Sequence, residues 1–294
     1  MRYQIRFRPG LWAVIILIVA AWPALADRET HVYGIAQFGG SGQCGDSGMT
    51  HPVHTATAGA FASWFKTLKL FGLWDDVETL NNSSARGRYF TDKSKSASCS
   101  CTGDDSHVDR GADDADVIYV HTHGSHSASS PAFSSLSMGN SNDDCDARTD
   151  QNMLWNSDLD IAVIKACQSG DYDTWKNGGY RQQFTKTTSG FRMWNAFHGD
   201  SSCGDHVTDY VTWYVQSSTY DGVGENWLDA AYDNNSGDDS DDCPVSIVMG
   251  ESHDARVKLF ENGGWRDLKT TGSKTGSTYF YFRGCDPSSG RKLD

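Results

Sequence analysis

The sequence predicts a single α/β domain, with a mostly parallel sheet and helices on both faces. Three observations carry that prediction. Short apolar runs alternate with stretches whose apolar residues recur every three or four positions, as strands alternating with helices do. Two of the runs, residues 116–121 and 159–166, are nearly continuously apolar, as strands buried on both faces require. The 294 residues are 38% hydrophobic and 12% aromatic, which is enough apolar mass to bury a core and too much for a disordered chain.

Residues 31–38 read as the first strand, which Gly39, Gly40, Ser41 and Gly42 then break. A helix is expected over 55–71, where Phe61, Trp64, Phe65, Leu68 and Phe71 share one face. The strands at 116–121 and 159–166 follow, then a third at 190–197 and a helix over about 205–216. A further helix is expected at 225–232 and a buried strand at 245–249. The alternating tail at 279–283 reads as an edge strand. No repeat or linker divides the chain, so residues 27–294 are expected to form one domain.

Residues 1–26 have the pattern of an export signal. Arg2, Arg6 and Arg8 precede an apolar run from Leu11 to Trp22, and Pro23-Ala24-Leu25-Ala26 offers a small-residue cleavage site. The run is too short to span a bilayer, which takes about twenty residues. The mature chain is therefore expected outside the cytoplasm, secreted or periplasmic, and off the membrane. Eight cysteines suit that compartment: Cys44, Cys99, Cys101, Cys145, Cys167, Cys203, Cys243 and Cys285. Most lie in loops rich in Gly, Ser and Asp, as disulfide staples do. Cys167 instead ends an apolar run. If all eight pair, thiol chemistry at Cys167 is excluded; if Cys167 is unpaired, at least one other cysteine must be too.

The formal net charge is -13, and of the 38 acidic residues 33 are Asp. Asp favours caps and loops, so the charge is expected in solvated loops at 103–116, 140–150 and 233–242. An acidic chain without a basic face argues against nucleic-acid and anionic-membrane partners. The same loops supply oxygen ligands suited to structural calcium, although none has EF-hand spacing.

The chemistry is expected at two strand ends, VIYVHTHG finishing at His123-Gly124 and DIAVIKACQSG running through Cys167 to Gly170. In a parallel α/β sheet, ligands bind at the carboxyl ends of the strands. Neighbouring strands would bring His123 and Cys167 to one rim. A cysteine nucleophile needs an imidazole and donors for the oxyanion. The N–H groups of Gly124 and Cys167 are the natural donors, because glycine allows close main-chain approach.

Those residues resemble the caspase-like cysteine peptidases, among them caspases, legumains, gingipains and separases. In these an apolar strand ends in His-Gly, and about 40 to 50 residues later a second ends in Ala-Cys. Here His123 and Cys167 are 44 positions apart, and Ala166-Cys167-Gln168-Ser169-Gly170 looks most like the legumain form. The segments GFRMWNAFHG, GVGENWLDAAY and CPVSIVMGES also resemble a family of secreted bacterial proteins that itself looks distantly caspase-like. The resemblance implies a caspase-haemoglobinase fold with disulfide-stapled loops. It also implies a His123/Cys167 dyad, no cofactor and a peptide or protein substrate.

Two other readings use the same residues. His121, His123 and His126 are similar to the zinc ligands of metallo-β-lactamases, with His198 and His253 as further candidates, although Ser125 replaces that family's Asp. Alternatively the chain is an inactive, disulfide-stapled binding module whose surface is lined by Trp155, Trp175, Trp194, Trp213, Trp227 and Trp265. Ser169 is a further candidate nucleophile. The loop at 125–152 is expected to cover the site.

Overall fold

A computed structural model describes residues 28–39, 43–44, 50–96, 102–180, 191–201, 207–220, 222–233, 243–265, 274–282 and 285–289. The expected signal peptide, Cys99, Cys101, Cys203 and nearly all of the acidic run at 233–242 lie outside these residues. In chain order the elements are β1 (Glu29–Gly34), α1 (Pro52–Leu70), β2 (Asp76–Asn81), β3 (Val117–His121), β4 (Gly124–Ser127), β5 (Phe133–Ser137) and β6 (Asp146–Arg148). Then follow β7 (Ile161–Lys165), α2 (Tyr172–Lys176), β8 (Met193–Phe197), α3 (Val207–Ser217), α4 (Val223–Asp233), β9 (Pro244–Gly250), α5 (His253–Asn262) and β10 (Gly276–Tyr281).

Seven strands form one sheet in the order β10-β9-β8-β7-β3-β1-β2. Strands β2, β1, β3, β7 and β8 are parallel, whereas β9 runs antiparallel to both β8 and β10. Every residue of β3, β7, β8 and β9 is buried, which is why these strands read as apolar runs. Their side chains divide by the two-residue period of a strand. Val117, Tyr119, Ile161 and Val163 enter one core layer, while Ile118, Val120, Ala162 and Ile164 enter the other.

The first layer is closed by helices. Helix α1 starts at Pro52, whose fixed φ suits a first helical position, and buries Ala58, Phe61, Ala62, Phe65 and Leu68. It lies so close to β1 that a Cβ on Gly34 would come within 2.8 Å of the Ala58 Cβ. Phe61 stacks on Tyr119 with centroids 4.6 Å apart. Emptying such a position costs about 3–5 kcal/mol. Helices α3 and α4 and part of α5 join the same layer.

Helices on both faces was the expectation. Among the described residues the longer helices share one face, and the other is closed by turns around Tyr89 and Phe90, by Trp155, by the five-residue α2 and by strands β4–β6. Those strands replace the expected loop at 125–152, and Leu136, Met138 and Ala147 anchor them in the core. The Trp-lined surface is also corrected. Trp155, Trp194, Trp227 and Trp265 are fully buried, and the indole N–H groups of the last three each donate to a main-chain carbonyl. Among the described residues two disulfides, Cys44–Cys145 and Cys243–Cys285, staple loops to this frame, and Cys167 belongs to neither. No described helix is long and apolar enough to cross a membrane.

The acidic loop at 103–116 is only partly solvated: its stretch at 106–110 reaches solvent, whereas part of its charge is buried. Asp105, Asp113 and Asp116 are all buried. Burial, with the Asp113 and Asp92 carboxylates adding to it, pushes Asp105 up to about 8. Burial lifts Asp113 to about 7, against hydrogen bonds donated by the N–H groups of Asn156 and Ser157. A carboxyl raised in the folded state is fully tolerated below its unfolded value of 3.8 and destabilises the fold as pH climbs towards 8. Asp105→Asn should therefore raise stability by roughly 1–3 kcal/mol at pH 8 and by progressively less towards pH 4. Urea unfolding of both proteins across that range measures the gap.

Candidate functional site

The carboxyl ends of β3, β7 and β8 meet at one rim. Strand β7 is flanked by β3 on one side and β8 on the other, and its last residues lead into Cys167. Both neighbours are followed by His-Gly, His123-Gly124 after β3 and His198-Gly199 after β8. The contact between the first pair and Cys167 is direct. A Cβ on Gly124 would lie 2.2 Å from the Cys167 carbonyl oxygen and 3.2 Å from its nitrogen, so only glycine permits this approach. His123 and Ser137 oppose each other as a hydrogen-bonded pair, the Ser137 N–H donating to the His123 carbonyl at 2.9 Å. Hydrogen-bonded and non-bonded pairs alternate along an antiparallel ladder, so the next pair, Gly124 with Leu136, turns the Gly124 N–H away from β5.

The turn after Cys167 is held from several sides. Gln168 has φ 56°, a left-handed conformation that non-glycine residues seldom adopt, and its N–H donates to the Gly199 carbonyl. Ser134 Oγ donates to the Gln168 carbonyl at 2.9 Å. Ser169, the second candidate nucleophile, is fully buried and donates its hydroxyl to the Ala166 carbonyl at 2.7 Å. Its role here is to build the turn. Cys167 itself is half-buried.

On the β3 side stands a cluster of four imidazoles, two of which the sequence reading missed. His51 immediately precedes α1 and His54 lies in its first turn, which the β1–α1 connection delivers to this rim. The His51 ring lies 4.9 Å from His123 and 5.1 Å from His54, and His54 lies 4.0 Å from His121. Phe38 packs on His123 at 4.7 Å. Burial lowers His123 below the ordinary value, with His51 adding to the effect. Its Nε2 is buried without a hydrogen-bond partner. Burial lowers His54 to about 3, although its Nδ1 hydrogen-bonds the Ile35 carbonyl at 2.6 Å. His121, 2.6 Å from Thr57 Oγ1, is lowered well below the ordinary value by burial and then by Lys165, its register partner on β7. Burial thus favours the uncharged form of His54, His121 and His123. The signal for them was His51-x-x-His54 at the start of a helix that follows a glycine-broken strand.

On the β8 side His198 Nδ1 lies 3.0 Å from Asp171 Oδ2, and the Tyr172 N–H is 3.1 Å from the same nitrogen. Burial alone would raise Asp171. Hydrogen bonds from His198 and from the Thr174 N–H outweigh it and hold the carboxyl below the usual range. His126 Nε2 approaches the same carboxylate at 3.7 Å, with Nδ1 2.8 Å from Gln168 Oε1. The candidate zinc ligands thus divide between places: His121 and His123 in the α1 cluster, His126 and His198 at Asp171, and His253 exposed at the start of α5. A cavity of about 450 Å³ opens between the β4–β5 turn and the end of α2. Asp150 in its wall is already held by Arg148 through bonds of 3.0 and 2.8 Å.

The chain belongs to the family described as domain of unknown function (DUF6345), whose model matches residues 55–282. No curated protein and no solved structure matches it. The matched span runs from the first turn of α1 through β10 and includes His121, His123, Gly124, Cys167, Asp171 and His198.

An imidazole lowered in the folded state leaves stability intact above its unfolded value of 6.5 and removes it as pH falls towards the folded value, about 3 for His54. Each pH unit inside that window costs about 1.4 kcal/mol for one such ring. His54→Gln should remove up to that much from the slope of unfolding free energy against pH between 6 and 4, read by urea titration against the parent chain.

Proposed function

We propose that this member of the DUF6345 family is an exported, caspase-like cysteine peptidase in which Cys167 attacks the scissile carbonyl and His123 moves the proton. The observation that carries the reading is the seating of Gly124 on the Cys167 main chain. It brings a thiol, an imidazole and a main-chain N–H turned out of its ladder to the ends of two adjacent parallel strands. Two disulfides suit a secreted or periplasmic protein.

The chemistry follows from the groups present. His123, kept neutral by burial, accepts the thiol proton, and the thiolate forms a bond to the carbonyl carbon. The oxyanion that develops accepts hydrogen bonds from the N–H groups of Gly124 and Cys167. The C–N bond then breaks as the imidazolium returns its proton to the leaving amine, and water hydrolyses the thioester. The imidazoles and Phe38 around His123 hold its ring and exclude water, so no fixed charge competes for its proton.

A second reading keeps Cys167 and moves the base to His198. The His198–Asp171 bond at 3.0 Å favours it, because a carboxylate orients an imidazole in catalytic triads. Labelling with a peptide acyloxymethyl ketone, read by mass spectrometry, separates the two. The expected result is an adduct on Cys167 whose formation slows about 10²–10⁴-fold in His123→Ala and much less in His198→Ala. The reverse order would move the base to His198, and a disulfide at Cys167 would sink both readings. Gly124→Ala, which must displace the Cys167 carbonyl, should slow labelling by about 10²-fold and lower the thermal midpoint by several degrees, since such overpacking costs about 1–3 kcal/mol.

A further inference from the structure

We infer that Glu29, His31 and Asp114 form a structural site for a divalent transition-metal ion of the zinc type, at the end of the sheet opposite Cys167. One ligand atom from each lies within 4.8 Å of the others. Glu29 and His31 are two apart on β1 and therefore share a face, and Asp114 lies three residues before β3, the neighbouring strand. Strands β1 and β3 are parallel, so these residues sit at the amino end of the sheet, whereas His123 and Cys167 follow its carboxyl ends.

The imidazole is already set up as a ligand. His31 is only 1% exposed, and its Nδ1 lies 2.8 Å from the Gly111 carbonyl oxygen. That bond requires the proton on Nδ1 and leaves the Nε2 lone pair open. Nε2 is buried and has no hydrogen-bond partner. A ring N–H given to a main-chain carbonyl with the other nitrogen turned to the ion is the usual outer support of a metal-bound histidine. Gly111 is itself fixed, its N–H donating to the His107 carbonyl at 2.7 Å. Asp114 Oδ2 is likewise buried without a partner. A buried imidazole nitrogen and a buried carboxylate oxygen, both unsatisfied in residues whose ligand atoms lie within 4.8 Å of one another, are costly unless something satisfies them.

The surroundings call for positive charge. The charged groups acting on His31 are Asp114, Glu78 and Asp109, all carboxylates. One nitrogen and two carboxylates suit zinc better than calcium, which takes six to eight oxygens. Two ligand atoms on a tetrahedral zinc ion are about 3.4 Å apart, so small side-chain rotations close the set and water completes it. The ion would tie the 103–116 loop to the first strand of the sheet. Asp114 belongs to the acidic loop that its composition marked for calcium, and the neutral imidazole changes the metal expected there.

The test uses the full exported chain, stripped with EDTA and titrated separately with zinc, manganese and calcium salts. The expected result is one equivalent of zinc per chain by elemental analysis, no stoichiometric calcium, and a thermal midpoint raised by about 5 °C in excess zinc. His31→Gln and Asp114→Asn should each lose the equivalent, and His51→Ala should retain it. X-ray absorption of the zinc-loaded parent chain needs no variant and should give one imidazole among oxygen donors. Absence of a zinc equivalent, its retention in both variants, its loss in His51→Ala, or two or more imidazoles on the metal would overturn the proposal. None of these outcomes depends on whether Cys167 is reactive.

Discussion

The van der Waals seating of Gly124 against the Cys167 main chain is the constraint on which the rim depends. It exists because β3 and β7 pair in parallel with His121 opposite Lys165, so the two strands leave the sheet at the same height. The chain after β3 turns at once into β4, and the chain after β7 turns at Gln168. Core groups fix that second turn. Trp194 Nε1 and Tyr180 Oη both donate to the Ser169 carbonyl, and Tyr279 Oη donates to the Gly170 carbonyl. The half-buried thiol therefore stands on a turn held from β8, β10 and the β4–β6 sheet. A rigid support of this kind is what a preorganised site needs.

Electrostatics reinforces the geometry. The imidazoles under the rim are held neutral by burial, with Lys165 fully buried beside His121 and its ammonium donating to Ser201 Oγ at 2.8 Å. Carboxylates dominate elsewhere. Asp171 reaches the β8 side of the rim, and it is kept ionised by His198 and the start of α2. The Asp surplus is thus not only a solubility device, because part of it is buried in the loop before β3, where it raises its own protonation.

The strands β3, β7, β8 and β9 were legible because burial on both faces leaves a continuous apolar run, and α1, α3 and α4 because one buried face leaves a three- or four-residue period. Strand β2 (DVETLN) was not, since an edge strand mixes half-buried polar residues with two buried ones. The strands GSHS, FSSLS and DAR are short and serine-rich, and only packing under the rim makes them strands. Helix α5 buries no residue fully and so carries no period. At the site, His123, Gly124 and Cys167 were legible because each ends or follows an apolar strand. His51, His54 and Asp171 were not, because their partners are brought to them only by the β1–α1 connection and by the turn at Gln168.

The central claim, that His123 serves the Cys167 thiol, is tested most directly by the pH dependence of Cys167 alkylation with iodoacetamide, followed by peptide mass in the parent chain and in His123→Ala. The account predicts that Cys167 alkylates faster in the parent chain than in the variant at about pH 6–8, where the neutral imidazole accepts the thiol proton. Identical profiles in the two proteins, or a Cys167 that does not alkylate without reduction, would contradict it.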